Sequence, residues 1–107
     1  MRIKSGASVR GLRPEIVLAL LAAASVWREL GAADPPTVTA GVDGRHSRGS
    51  LHYAGAAVDL RLPRNVEAAQ AALSLEAALG GVGGEYDVVL ESDHIHVEFQ
   101  PKEAVDA

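Results

Sequence analysis

Apolar residues recur along this chain with two different periods. From Pro14 to Leu30 they follow helical spacing, with Ile16, Leu20, Ala23, Ala24, Trp27 and Leu30 on one stripe. Leu18 and Leu21 widen that stripe and predict a well-buried helix. Pro14 suits the first helical turn, Glu15 the positive helix end, and Gly31 a left-handed C-terminal cap. A second, alanine-dense helix is predicted over Val66 to Leu79, with Asn65 as its N-cap and Glu67 in its first turn; Val66, Ala69, Leu73 and Leu79 would face the sheet. Elsewhere the period is two. Thr37–Ala40, Ala57–Leu62, Tyr86–Leu90 and His94–Phe99 read as strands, the last two joined by a tight turn at Ser92-Asp93. Gly80-Gly81 and Gly83-Gly84 interrupt the chain before the third strand. The expected class is α+β: a single domain over 1–107, with two helices packed on one face of a small, mostly antiparallel sheet.

The polar face of that sheet carries the chemistry. Along Ala57–Leu62, Val58, Leu60 and Leu62 would face the core and Asp59 and Arg61 the other side. Along His94–Phe99, Ile95, Val97 and Phe99 face inward and His94, His96 and Glu98 outward. Two such strands can bring Asp59 and His96 together on the face away from the helices. Gly55 permits a sharp turn that would swing His52 over the same floor. Catalytic zinc takes three N and O ligands and keeps a position open for water. His52, Asp59 and His96 supply that set. A carboxylate off the metal is needed to take the proton of the bound water, with Asp93 the first candidate and Glu91 the second. Each element alone has a plainer reading. A single histidine is ordinarily a surface residue, a His-x-His on a strand is weak evidence, and an aspartate in an apolar strand can be a salt-bridge partner. Their joint occurrence carries the assignment.

The pattern Ser50-x-His52-x-x-Gly55-x-Ala57-x-Asp59, followed by Asp93-x-x-His96, resembles the zinc D-alanyl-D-alanine metallopeptidase family. That family takes in carboxypeptidases and dipeptidases, and phage endolysins that cut the L-alanyl-D-glutamate bond; it is related to lysostaphin-type peptidases and the hedgehog domain. The resemblance runs from about Asp43 to Phe99. It implies zinc on His52, Asp59 and His96, Asp93 as general base, and Ser50 in the substrate site. His94 departs from the bulky apolar residues many members carry there, although the hedgehog and lysostaphin-like branches do have His-x-His. The departure leaves open a share of proton transfer for Glu91 or His94. The function implied is hydrolysis of an amide bond in peptidoglycan stem peptides by a phage or prophage cell-wall lytic enzyme. The alternative is a non-catalytic zinc module of the hedgehog type, and a further one is a metal-free polar network.

Size and charge narrow this picture. With 107 residues there is room for one modest core, to which a bound metal could add stability. A net charge of −4 argues against nucleic acid as a partner, and the absence of cysteine excludes disulfides and thiolate ligands. The basic start Met1–Lys4 and the apolar run Ile16–Trp27 suggest a signal peptide. Arg13, Pro14 and Glu15 before the run, and Arg28 and Glu29 after it, read better as a core helix too short to span a membrane. Together with the resemblance, this gives the expectation of a monomer made in the cytoplasm that acts at the cell wall or periplasm. Arg45 and Arg48, in a polar loop entering the site, could anchor a substrate carboxylate bidentately, although each taken singly reads as a solvated loop charge.

Overall fold

A computed structural model of the chain describes residues 1–42 and 54–101. In chain order the elements are β1 (Arg2–Ile3), α1 (Pro14–Leu30), β2 (Thr37–Ala40), β3 (Ala57–Arg61), α2 (Ala68–Ala78), β4 (Tyr86–Leu90) and β5 (His94–Phe99). The five strands form one sheet in the order β1-β2-β3-β5-β4. Every neighbouring pair is antiparallel except β1 with β2. Both helices pack on one face, giving the expected α+β class.

α1 has the predicted bounds. Pro14 stands in its first turn, and Gly31 adopts φ 82° and donates its N–H to the Arg28 carbonyl. Its buried face is Ile16, Ala19, Leu20, Ala23, Val26 and Trp27. The expectation that Leu18 and Leu21 widen the buried face is corrected: they are 59% and 63% exposed. Leu18 lies two residues from Ile16, about 200° around the helix, and a helix on one side of a sheet has no second layer to cover that direction.

α2 is shorter than predicted. It starts at Ala68, with Glu67 as N-cap, and ends at Ala78. Asn65 is not the cap. It adopts φ 68°, a left-handed conformation that asparagine tolerates, and so closes a turn before the helix begins. The buried residues of α2 are Ala71, Ala72 and Leu75, whereas Ala69 and Leu73 face solvent. β1 was not predicted. It forms because Arg2 and Lys4 donate N–H groups to the carbonyls of Pro36 and Val38.

The core is closed from the sheet side by Val38, Val58, Leu60, Ile95 and Val97, all at most 1% exposed. Alternation along β3 and β5 then obliges the intervening residues to face the opposite side.

Candidate metal centre

The register of β3 and β5 builds the site. Asp59 pairs with His96 and Arg61 with His94. Cross-strand partners project to the same face, so Asp59 meets both histidines of β5. His96 Nδ1 lies 2.9 Å from Asp59 Oδ1, and His94 Nε2 lies 3.6 Å from the same oxygen. At the outer ends the row continues: His96 Nε2 is 2.7 Å from Glu98 Oε1, and His94 Nδ1 is 2.6 Å from Asp93 Oδ1. The result is a line of alternating carboxylate and imidazole groups, Asp93, His94, Asp59, His96 and Glu98. Its middle is sheltered, with the Asp59 side chain 15% exposed, while Asp93 at the turn is 84% exposed. Gln100 donates to the second oxygen of Glu98.

Electrostatics follow from this contact list. The hydrogen bond to Asp59 is the main cause that pushes the His96 imidazolium up to about 9; burial opposes it and Glu98 adds to it. In the metal-free protein His96 is therefore a cation at neutral pH, donating from Nδ1 to Asp59 and from Nε2 to Glu98.

The hairpin that carries His94 is tight. Leu90 pairs with Ile95, and Glu91 donates its N–H to the His94 carbonyl, which leaves Ser92 and Asp93 as the two-residue loop. Asp93 thus stands beside the row as predicted. Glu91 sits across the turn, exposed, at the register position facing His94.

The turn before β3 is equally constrained. Gly55 adopts φ 75°, and a Cβ there would fall on the Gly11 carbonyl oxygen. Arg13 ties the two segments together, donating its N–H to the Gly55 carbonyl and its Nε to the Ala54 carbonyl. The predicted sharp bend at Gly55 is present.

Of the residues singled out in the sequence, Asp59, His94, His96 and Asp93 are brought together. His52, Ser50, Arg45 and Arg48 lie outside the described residues. Glu98 was placed on the correct face but given no role. Its signal was the i, i+2 spacing from His96, which on a strand puts a carboxylate beside an imidazole.

The donor set can be tested against zinc. Among the described residues no group of three or more metal-ligating side chains stands ready to hold an ion. Two donors are in place. Ligands at about 2.0–2.1 Å from a tetrahedral zinc stand roughly 3.3 Å apart, close to the 2.9 Å between His96 Nδ1 and Asp59 Oδ1. Glu98 on the far ring nitrogen has the chemistry of an outer partner, because a ligating histidine commonly donates its other N–H to a carboxylate. Asp59 and His96 thus have the donor types and a spacing compatible with two ligands of one ion, while in the structure they are joined by a direct hydrogen bond. The small cavity of about 110 Å³ near Arg2, Asp34 and Arg64 is a separate feature, lined by the ion pairs of Asp34. Comparison with known proteins gives no match: no family model, curated protein or solved structure is matched by the chain.

Proposed function

We propose that the chain is a zinc-dependent peptidase that hydrolyses an amide bond in peptidoglycan stem peptides, acting as a phage or prophage cell-wall lytic enzyme. The observation that supports this reading best is the 2.9 Å pairing of Asp59 with His96, which lie 37 positions apart in sequence and are matched across β3 and β5. In this reading His52 completes the ligand set. Zinc there supplies an acidified water and a polarised scissile carbonyl.

The chain's own groups have distinct tasks. Glu98 accepts from His96 Nε2 and so keeps Nδ1 turned towards Asp59. Asp93 takes a proton and returns it to the leaving amine. Its exposure leaves it open to a substrate, and His94 Nδ1, 2.6 Å away, holds its carboxylate in place. Glu91 is the second candidate for the base, and among the described residues no side chain holds it as His94 holds Asp93. In this reading Arg45 or Arg48 anchors a substrate carboxylate, and Ser50 hydrogen-bonds the peptide or orients a ligand.

The test is digestion of purified peptidoglycan, with products read by mass spectrometry for the zinc-loaded and the chelated protein. Free D-alanine would identify a carboxypeptidase. Released stem peptides beginning at D-glutamate would identify an endopeptidase. A zinc-loaded protein that leaves the polymer unchanged would overturn the peptidase reading and leave the non-catalytic zinc module.

A further inference from the structure

The outer edge of β4 combines three properties, and apart from Glu91, the second candidate base, its residues have no part in the proposed site. Among the described residues it is a free sheet edge, it opens onto an apolar groove, and its other face is acidic. Glu91 donates to the His94 carbonyl and Gln100 to the Glu85 carbonyl, so the odd-numbered residues of β4 bond to β5. Antiparallel alternation then turns the N–H and C=O groups of Tyr86, Val88 and Leu90 outward. Among the described residues no strand pairs with them.

Side chains divide by the same parity. Tyr86, Val88 and Leu90 lie on the helix face. Below Val88 and Leu90 a groove of about 300 Å³ is completed by Ala69, Ala72, Leu73 and Glu76 of α2. Leu73 is 64% exposed and Leu90 41%. Asp87 and Val89 lie on the opposite face, and Glu85 and Glu91 flank the strand at its two ends, so three of these four residues are acidic. The wider surroundings share that sign. Between 65 and 101 the chain has seven acidic residues and no lysine or arginine.

We propose that this edge docks an extended polypeptide segment of a partner protein, one with apolar residues at alternate positions and lysine or arginine between them. Added as a sixth strand about 4.8 Å outside β4, such a segment would take its main-chain hydrogen bonds from Tyr86, Val88 and Leu90. Its apolar side chains would enter the groove against α2. Its basic side chains would stand opposite Glu85, Asp87 and Glu91. Two-fold pairing of β4 with a second copy is disfavoured, since it sets one acidic row against another. Acidic residues on an edge can serve only to block aggregation. A purely protective edge would not carry an exposed leucine row and a groove along its other face.

The test uses the full chain, isotopically labelled for NMR. The probe is a capped synthetic octapeptide of alternating lysine and valine. Controls are its glutamate–valine counterpart and a peptide of the same composition with the lysines and valines in two blocks. The expected result is saturable binding of the alternating lysine peptide, slowed amide exchange at Val88 and Leu90, and loss of affinity with salt. The double variant Glu85→Lys, Asp87→Lys should weaken binding about tenfold or more and should accept the glutamate peptide instead. Leu73→Asp, at an exposed position, should weaken both. Absence of binding, equal binding of the block peptide, an unchanged affinity in the lysine variant, or protection confined to β1 would each overturn the proposal. Protection of the β4 edge that depends on protein concentration without peptide would replace it with self-association.

Discussion

The two faces of β3 and β5 are made from the same eleven residues read in alternation, and they are stabilised by opposite means. On the helix face Val58, Leu60, Ile95 and Val97 are at most 1% exposed. They gain stability from removing apolar surface from water, a non-directional effect that tolerates repacking. On the other face Asp59, His94, His96 and Glu98 are only partly buried, and each contact depends on distance and protonation. One face thus holds the strands in register, and the other uses that register to hold charges close together. Stability and metal chemistry should therefore respond to different substitutions in the same strand.

The largest effect on folding should come from the apolar face. Leu60→Ala or Ile95→Ala should cost about 2–5 kcal/mol, a large part of the stability of a domain this size, measured by urea denaturation. Where the variant still folds in the cold, it should still take up zinc. Equal loss of zinc binding and stability would blur the distinction between the faces.

On the polar face, Asp93→Asn should retain zinc and lower peptide hydrolysis by about 10²–10⁴-fold, with little change in melting temperature. If Glu91→Gln were the inactive variant and Asp93→Asn the active one, the base would lie across the turn instead.

Protonation gives a smaller and separately measurable effect. In the metal-free protein the folded His96 titrates near 9, above its unfolded value of about 6.5. The stability contributed by its imidazolium is complete below about 6.5 and is lost as pH rises through about 9. The melting temperature of chelated protein should fall across that window, and His96→Gln should remove most of the slope. Zinc needs a deprotonated imidazole, so metal uptake at neutral pH should release protons, measurable by calorimetry in buffers of different ionisation enthalpy.

The smallest effect belongs to the far end of the sheet. Arg64, and after it Arg2, hold the Asp34 carboxyl below its ordinary range, but the pair is solvent-exposed. Asp34→Asn should barely move the melting temperature at neutral pH. The small stabilisation lost there should disappear in the parent as pH falls below about 4.

How far the sequence discloses this depends on how local each cause is. α1 was legible to the residue because Pro14 and Gly31 mark its ends by backbone chemistry. α2 was not, because a helix of nearly uniform alanine leaves the phase of its buried face open, and because Asn65 took a left-handed turn in place of a cap. β1 has two residues and no period; only its pairing with β2 makes it a strand. At the site, strand parity was enough to put Asp59, His94, His96 and Glu98 on one face. Parity does not reveal register, so the pairing of Asp59 with His96 was an expectation that only the aligned strands could establish, whereas the contact of Glu98 with His96 was open to reading from their i, i+2 spacing alone. Arg45, Arg48, Ser50 and His52 fall outside the described residues.

Zinc content per chain tests most directly the proposal that Asp59, His96 and His52 jointly hold one cation. Protein purified without a polyhistidine tag, dialysed against buffered zinc and analysed by elemental mass spectrometry should contain one zinc per chain. Asp59→Ala, His96→Ala and His52→Ala should each contain almost none while remaining folded by circular dichroism. Zinc-free parent protein, or full occupancy in any of the three variants, would contradict it.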